Sequence, residues 1–141
     1  MVSKLWKDQS FSVSHADGTG TSTGGFEAGL RSFFEYRDLG IKDATKGKFV
    51  AHVIRAVPGI HTEPQWHVHN LDFQMVYILK GWVKFEYEGE GEITLRSGSS
   101  ALQPPGIKHR ELSHSDDLEL IEICSPAESK TDLIDTSWDI M

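Results

Sequence analysis

From Gly24 to Cys124 the chain is cut into short runs rich in β-branched and aromatic residues, separated by Gly, Pro and Asp, with no long stretch of helical periodicity. That punctuation predicts a sandwich or barrel of many short strands. Strands are expected at Ser32 to Arg37, Lys48 to Ala56, Gln65 to His69, Phe73 to Lys80, Trp82 to Tyr87, Gly91 to Leu95, Ser100 to Gln103, His109 to Ser113 and Leu118 to Cys124. Because Cys124 is the single cysteine, no disulfide can form within the chain, and stability must come from packing or a metal.

A length of 141 residues fits one domain. We place a β-barrel at residues 26–125, an N-terminal arm at 1–25 and a C-terminal tail at 126–141. The run Asp17-Gly18-Thr19-Gly20-Thr21-Ser22-Thr23-Gly24-Gly25 is costly to order and reads as a flexible arm or long loop. It lacks the pattern of a phosphate-cradling loop. In the tail, Leu133, Ile134, Trp138, Ile140 and Met141 call for cover, from the barrel or from a second subunit, and a homodimer is expected. The net charge of −7 is the wrong sign for binding phosphate backbones, which argues against nucleic acid and anionic membrane as partners. With no apolar run of membrane-spanning or signal-peptide length, the expectation is a soluble cytoplasmic protein. Trp82 to Leu95 reads as a hairpin turning at Glu88-Gly89-Glu90-Gly91. The alternating Glu86, Glu88, Glu90 and Glu92 then mark a solvated face rather than a cation site.

The chemistry concentrates at Trp66-His67-Val68-His69. On a strand, residues i and i+2 share a face, so both imidazoles can reach one ion. Gln74 opens the next apolar run after a bend at Asn70 to Asp72, and in a chelating hairpin its side chain returns to the same centre. Pro104-Pro105-Gly106-Ile107-Lys108-His109 then delivers another histidine at the start of a strand, a natural fourth ligand.

These two segments resemble the paired motifs of the cupin superfamily: HxH, a carboxylate four or five residues on and a later glycine, followed by GxxxxxPxGxxH. Here the first reads His67, His69, Gln74 and Gly81, and the second Gly98, Pro104, Gly106 and His109. The resemblance covers about residues 59 to 113. It implies an all-β fold, the cupin double-stranded β-helix or jelly-roll barrel, with His67, His69, Gln74 and His109 on one divalent transition metal. Iron is the first choice; nickel, zinc, manganese or cobalt suit the same donors. Three residues depart from the family pattern: Gln74 stands in place of Glu, Ser113 in place of Asn, and Gly59 lies two residues too far from His67. A neutral amide leaves the ion its full charge, which acidifies bound water and favours anionic substrates. Gln at this position resembles a subset of small cupins that includes non-redox enzymes acting on sugar acids. Without Gln74 the site would be a three-histidine facial centre, as in thiol and diketone dioxygenases.

Alternation extends the pocket to Val76 and Ile78 beside Gln74, and to Glu111 and Ser113 beside His109. An inward Glu111 would serve as general base or orient a histidine. Otherwise a bulge near Pro104 or Ile107 turns it outward, or it pairs with Arg55 or Arg110. Arg55 could meet a substrate carboxylate, although an ion pair with a neighbouring acid is the commoner fate. His61 reads as a surface-loop residue, and His15, His52 and His114 have no spacing partner. Phe73, Met75, Tyr77 and Leu79 alternate opposite Gln74, as sheet packing or a dimer seam. Cys124 reads as a small buried hydrophobe. The expected function is a metalloenzyme acting on a small organic molecule, either a dioxygenase or a non-redox isomerase or lyase. The alternative is a non-catalytic module that binds a metal or small ligand.

Overall fold

The computed structural model describes residues 4–17, 25–29, 31–62, 64–128 and 131–133. A two-stranded ribbon, β1 (Leu5–Trp6) and β2 (Gln9–Ser10), stands in the N-terminal arm, where no strand was expected. Most of the Gly/Thr run of that arm, residues 18–24, lies outside the described residues, as do 134–141 of the tail. The body is built from β3 (Glu27–Ala28), β4 (Phe34–Asp38), one helical turn α1 (Ile41–Ala44), β5 (Val50–Ala56), β6 (His67–His69), β7 (Phe73–Lys80), β8 (Trp82–Tyr87), β9 (Gly91–Arg96), β10 (Ser100–Leu102), β11 (His109–His114), β12 (Glu119–Ser125) and β13 (Thr131–Leu133). The helical turn was not foreseen.

Two antiparallel sheets form the barrel. One has the order β10-β7-β12-β5-β4-β3 and the other β13-β6-β11-β8-β9. Sequence neighbours often lie in different sheets, as a jelly roll requires. The connection from β6 to β7 therefore crosses between walls, and the expected chelating hairpin is not formed: Gln74 faces the histidine strand from the opposite sheet. Along β7, Gln74, Val76 and Ile78 are buried while Phe73, Tyr77 and Leu79 are exposed, the period-2 signature of a strand with one face inward. Ile54, Ala56, Val76, Ile78, Val83, Leu95, Leu118 and Leu120 join the walls in one core.

β8 and β9 turn at Glu88 to Glu90, with Tyr87 opposite Gly91 and both Gly89 and Gly91 at positive φ. The acidic run on this hairpin is met by cations: Glu86 by Arg110 at 2.7 Å, Glu92 by Lys84 at 2.9 Å and Glu88 by Lys108 at 3.7 Å. Among the described residues no helix is long and apolar enough to cross a membrane.

Gly81 makes the reversal from β7 to β8 at φ +73°, and a Cβ there would come within 2.2 Å of Ser115 Oγ and 3.0 Å of the Leu118 backbone. Both conformation and space demand glycine. Gly81→Ala should cost about 2 kcal/mol or more. Thermal unfolding would show this as a fall in Tm of roughly 5 °C or more, and an unchanged Tm would contradict it.

Candidate metal centre

His67 and His69 sit two apart on β6, and His109 opens β11 directly opposite His67 in the register of the pair. The three rings meet at centroid separations of 4.2 Å (His67–His109), 4.9 Å (His67–His69) and 5.1 Å (His69–His109). One nitrogen from each lies within 4.8 Å of the others, a spacing that could hold a metal ion. Local contacts prepare two of the rings. His67 Nδ1 lies 3.0 Å from the Gln65 carbonyl and His109 Nδ1 3.0 Å from the Ile107 carbonyl. A carbonyl only accepts, so each Nδ1 carries the proton and each Nε2 keeps its lone pair. Burial pushes the pKa of His67 down to about 3 and that of His109 to about 4, and lowers that of His69 as well. The rings are neutral at pH 7, the state in which imidazole binds metal.

The rings open onto a cavity of about 370 Å³ between the two sheets. Its lining includes Gln74, Val76 and Glu111. Ile78 and Ser113 do not line it. Ile78 does point inward, but at 0% exposure it is packed into the core beneath. Ser113 is displaced by a β-bulge: β11 pairs Glu111 with Phe85 and then Ser113 with Lys84, so one extra residue shifts the alternation. His114 takes the inward place, with its side chain only 3% exposed.

Glu111 is buried and turned inward, held by hydrogen bonds on both oxygens. Its Oε1 lies 2.7 Å from His114 Nδ1, and its Oε2 accepts from the Thr62 hydroxyl. The alternatives for Glu111 are not realised, since Arg55 pairs with Glu35 at 3.0 Å and Arg110 with Glu86. His114, which lacked a partner in the sequence, is thus bound to Glu111 and Thr62.

Two further groups escaped the sequence reading. Glu122 and His52 face the cavity from the neighbouring strands β12 and β5, which pair them in register. His52 Nε2 lies 3.5 Å from Glu122 Oε1, and Gln74 Nε2 donates to Glu122 Oε2 at 3.0 Å. Burial works against the charge on Glu122, but the hydrogen bonds from His52 and Gln74 prevail and hold its pKa below the usual carboxylate value. Because Gln74 gives its amide nitrogen to Glu122, its oxygen is the atom left to act as a donor to a metal. Alternation along β12 would have marked Glu122 as inward once Leu118 and Leu120 were known to be buried. Alternation along β5 would have marked His52 in the same way, from the buried Ile54 and Ala56.

Cys124 is buried, and burial together with the charge of Glu122 pushes its thiol pKa up, so it stays protonated. Tyr87 packs near His109, and its hydroxyl accepts from Gln103 Nε2 at 2.7 Å. His15 and His61 are exposed.

The family described as Cupin domain matches residues 53–124, half of the chain. No curated protein matches the sequence. Solved structures share the fold. KdgF from Halomonas sp. aligns with a TM-score of 0.57 and 20% identity over 74% of this chain and 89% of that one. HppE, solved with Fe(II) and an alternative substrate, gives 0.61 and 15% over 81% of this chain and 60% of its own. Pac13 from Streptomyces, a nucleoside dehydratase, gives 0.60 and 12% over 77% and 84% respectively.

Proposed function

The chain belongs to the cupin domain family, and from that premise we propose that it is a metalloenzyme that carries out non-redox, acid–base chemistry on a small polar molecule. The observation that carries this reading is that the histidine cluster and two carboxylate–histidine pairs, Glu111–His114 and Glu122–His52, adjoin one cavity. His67, His69 and His109 would hold the ion, with Gln74 as fourth donor. The donors are all neutral, and nitrogen with amide oxygen suits iron, nickel, zinc, manganese or cobalt. When bound, such an ion polarises a substrate oxygen and acidifies coordinated water.

The protein side chains divide the remaining work. Glu122, kept charged by His52 and Gln74, orients the Gln74 amide. Glu111 is the residue assigned to proton transfer, with Thr62 and His114 fixing the direction of its oxygens. Val76, Phe85 and Leu120 line the cavity and keep water from the reacting atoms. Nucleoside dehydration in Pac13 is a precedent on this fold for chemistry of the same class. A second reading, an oxygen-consuming iron enzyme, is favoured by the three-histidine set and by the likeness to HppE with its Fe(II).

Elemental analysis and turnover assays on a panel of hydroxy acids, uronates, phenols, diketones and thiols test the proposal together. Wild-type protein should carry one divalent ion, a His67→Ala, His109→Ala variant none, and a His15→Ala, His61→Ala control the wild-type amount. Turnover should persist without oxygen, and Glu111→Gln should lower it by about a hundredfold or more with metal retained. Equal metal in both double variants would sink the site; strict dependence on oxygen would establish the second reading instead.

We also propose that a second copy of the chain covers the outer face of β7 and β10, where Phe73, Tyr77, Leu79 and Leu102 are exposed side by side. An apolar sheet face of this kind suits a two-fold interface. Light scattering should show a dimer that Tyr77→Lys converts to monomer, and a monomeric wild type would refute the assignment.

A further inference from the structure

Arg31 stands just ahead of β4 and lines the cavity beside the histidine cluster, half-buried. Its Nη2 lies against the His67 ring, 3.2 Å from Nδ1 and 3.3 Å from Nε2. The positive charge reaches all three rings, lowering the pKa of each. Two carboxylates share the cavity, yet neither serves this cation. Glu111 is held by Thr62 and His114, and Glu122 by His52 and Gln74. Among the described residues Arg31 forms no ion pair, whereas Arg55 and Arg110 are taken by Glu35 and Glu86.

The backbone of Arg31 is hydrogen-bonded to β4. Its carbonyl accepts from Phe34 N–H at 3.2 Å, and a hydrogen bond links its backbone to the Tyr36 hydroxyl. Two residues earlier, Gly29 lies on the Tyr36 ring so closely that a Cβ would approach it to 2.2 Å. Arg31 thus brings a cation to the cavity. Holding an uncompensated guanidinium partly out of water is unfavourable, and a bound anion offsets that cost.

We propose that Arg31 forms an anion subsite next to the histidine cluster and that the substrate carries a carboxylate beside the oxygen presented to the histidines. This rests on the metalloenzyme reading above and narrows it to a substrate class. The planar guanidinium matches a carboxylate through paired N–H donors. Arg31 is in contact with His67, so the carboxylate and the reacting oxygen must be close neighbours in the ligand. Hydroxy- and oxo-carboxylates meet that requirement. A cavity of about 370 Å³ is at the low end of the range for ligand sites and limits the substrate to a small molecule.

The test compares lactate with lactamide, which match in shape and differ in charge, by calorimetric titration into the metal-loaded full chain. Wild-type protein should prefer lactate. Arg31→Gln should weaken lactate by about tenfold or more while leaving lactamide and metal content unchanged. Arg31→Lys, which keeps the charge but loses the fork, should recover part of the preference. A lactate preference that Arg31→Gln does not alter, or an equal loss of both ligands, would overturn the subsite. Metal content measured on the same samples separates the two proposals: wild-type protein without metal contradicts the metalloenzyme reading, whereas metal retained with an Arg31-independent preference contradicts this one.

Discussion

The antiparallel register that sets His109 opposite His67 governs the rest of the site. Once those two residues face inward, alternation places His69 and Glu111 on the same wall. A slip of one residue would turn the imidazoles to solvent and bring their neighbours into the cavity. The opposite wall obeys the same rule through β7, β12 and β5, which bring Gln74, Glu122 and His52 to face the histidines. Polar residues gather at this end, while Ile54, Ile78 and Leu120 fill the other with apolar volume. The cavity thus has a chemical end and a packed end, drawn from the same strands.

Strand positions were legible because each run of strand formers is bounded by residues that break it. Phe73–Lys80 and Trp82–Tyr87 have the expected bounds, and the glycine between them is forced by its positive φ and by the Leu118 backbone close behind it. The histidine set was legible for a related reason: the HxH spacing and the Pro-Gly turn before His109 are local features. Pairing between distant strands leaves no local trace. Gln74 was expected across a hairpin but arrives from the facing sheet. Ser113 lost its place to His114 through a bulge whose extra residue resembles any other strand residue. Arg31 reaches the cavity from outside the expected strands, on a segment positioned by Gly29 and Tyr36, and no spacing rule connects it to His67.

The electrostatics of the cavity follow from this assembly. Three imidazoles are held neutral, the two buried ones, His67 and His109, with the proton fixed on Nδ1 by a carbonyl. Glu122 keeps its charge because His52 and Gln74 hydrogen-bond it. Glu111 is bound at both oxygens by Thr62 and His114. Both carboxylates thus have partners within the protein other than Arg31, and imidazole lone pairs and one cation are what the cavity offers to a ligand. A site with that balance attracts a divalent ion and a small anion together.

The most direct measurement of the central claim is a crystal structure of the cobalt-loaded protein with anomalous data at the metal edge. The account predicts one strong peak about 2.0 to 2.2 Å from Nε2 of His67, His69 and His109, with the Gln74 oxygen turned toward it. A peak at other residues, or none at the histidine cluster in protein given a full equivalent of cobalt, would contradict it.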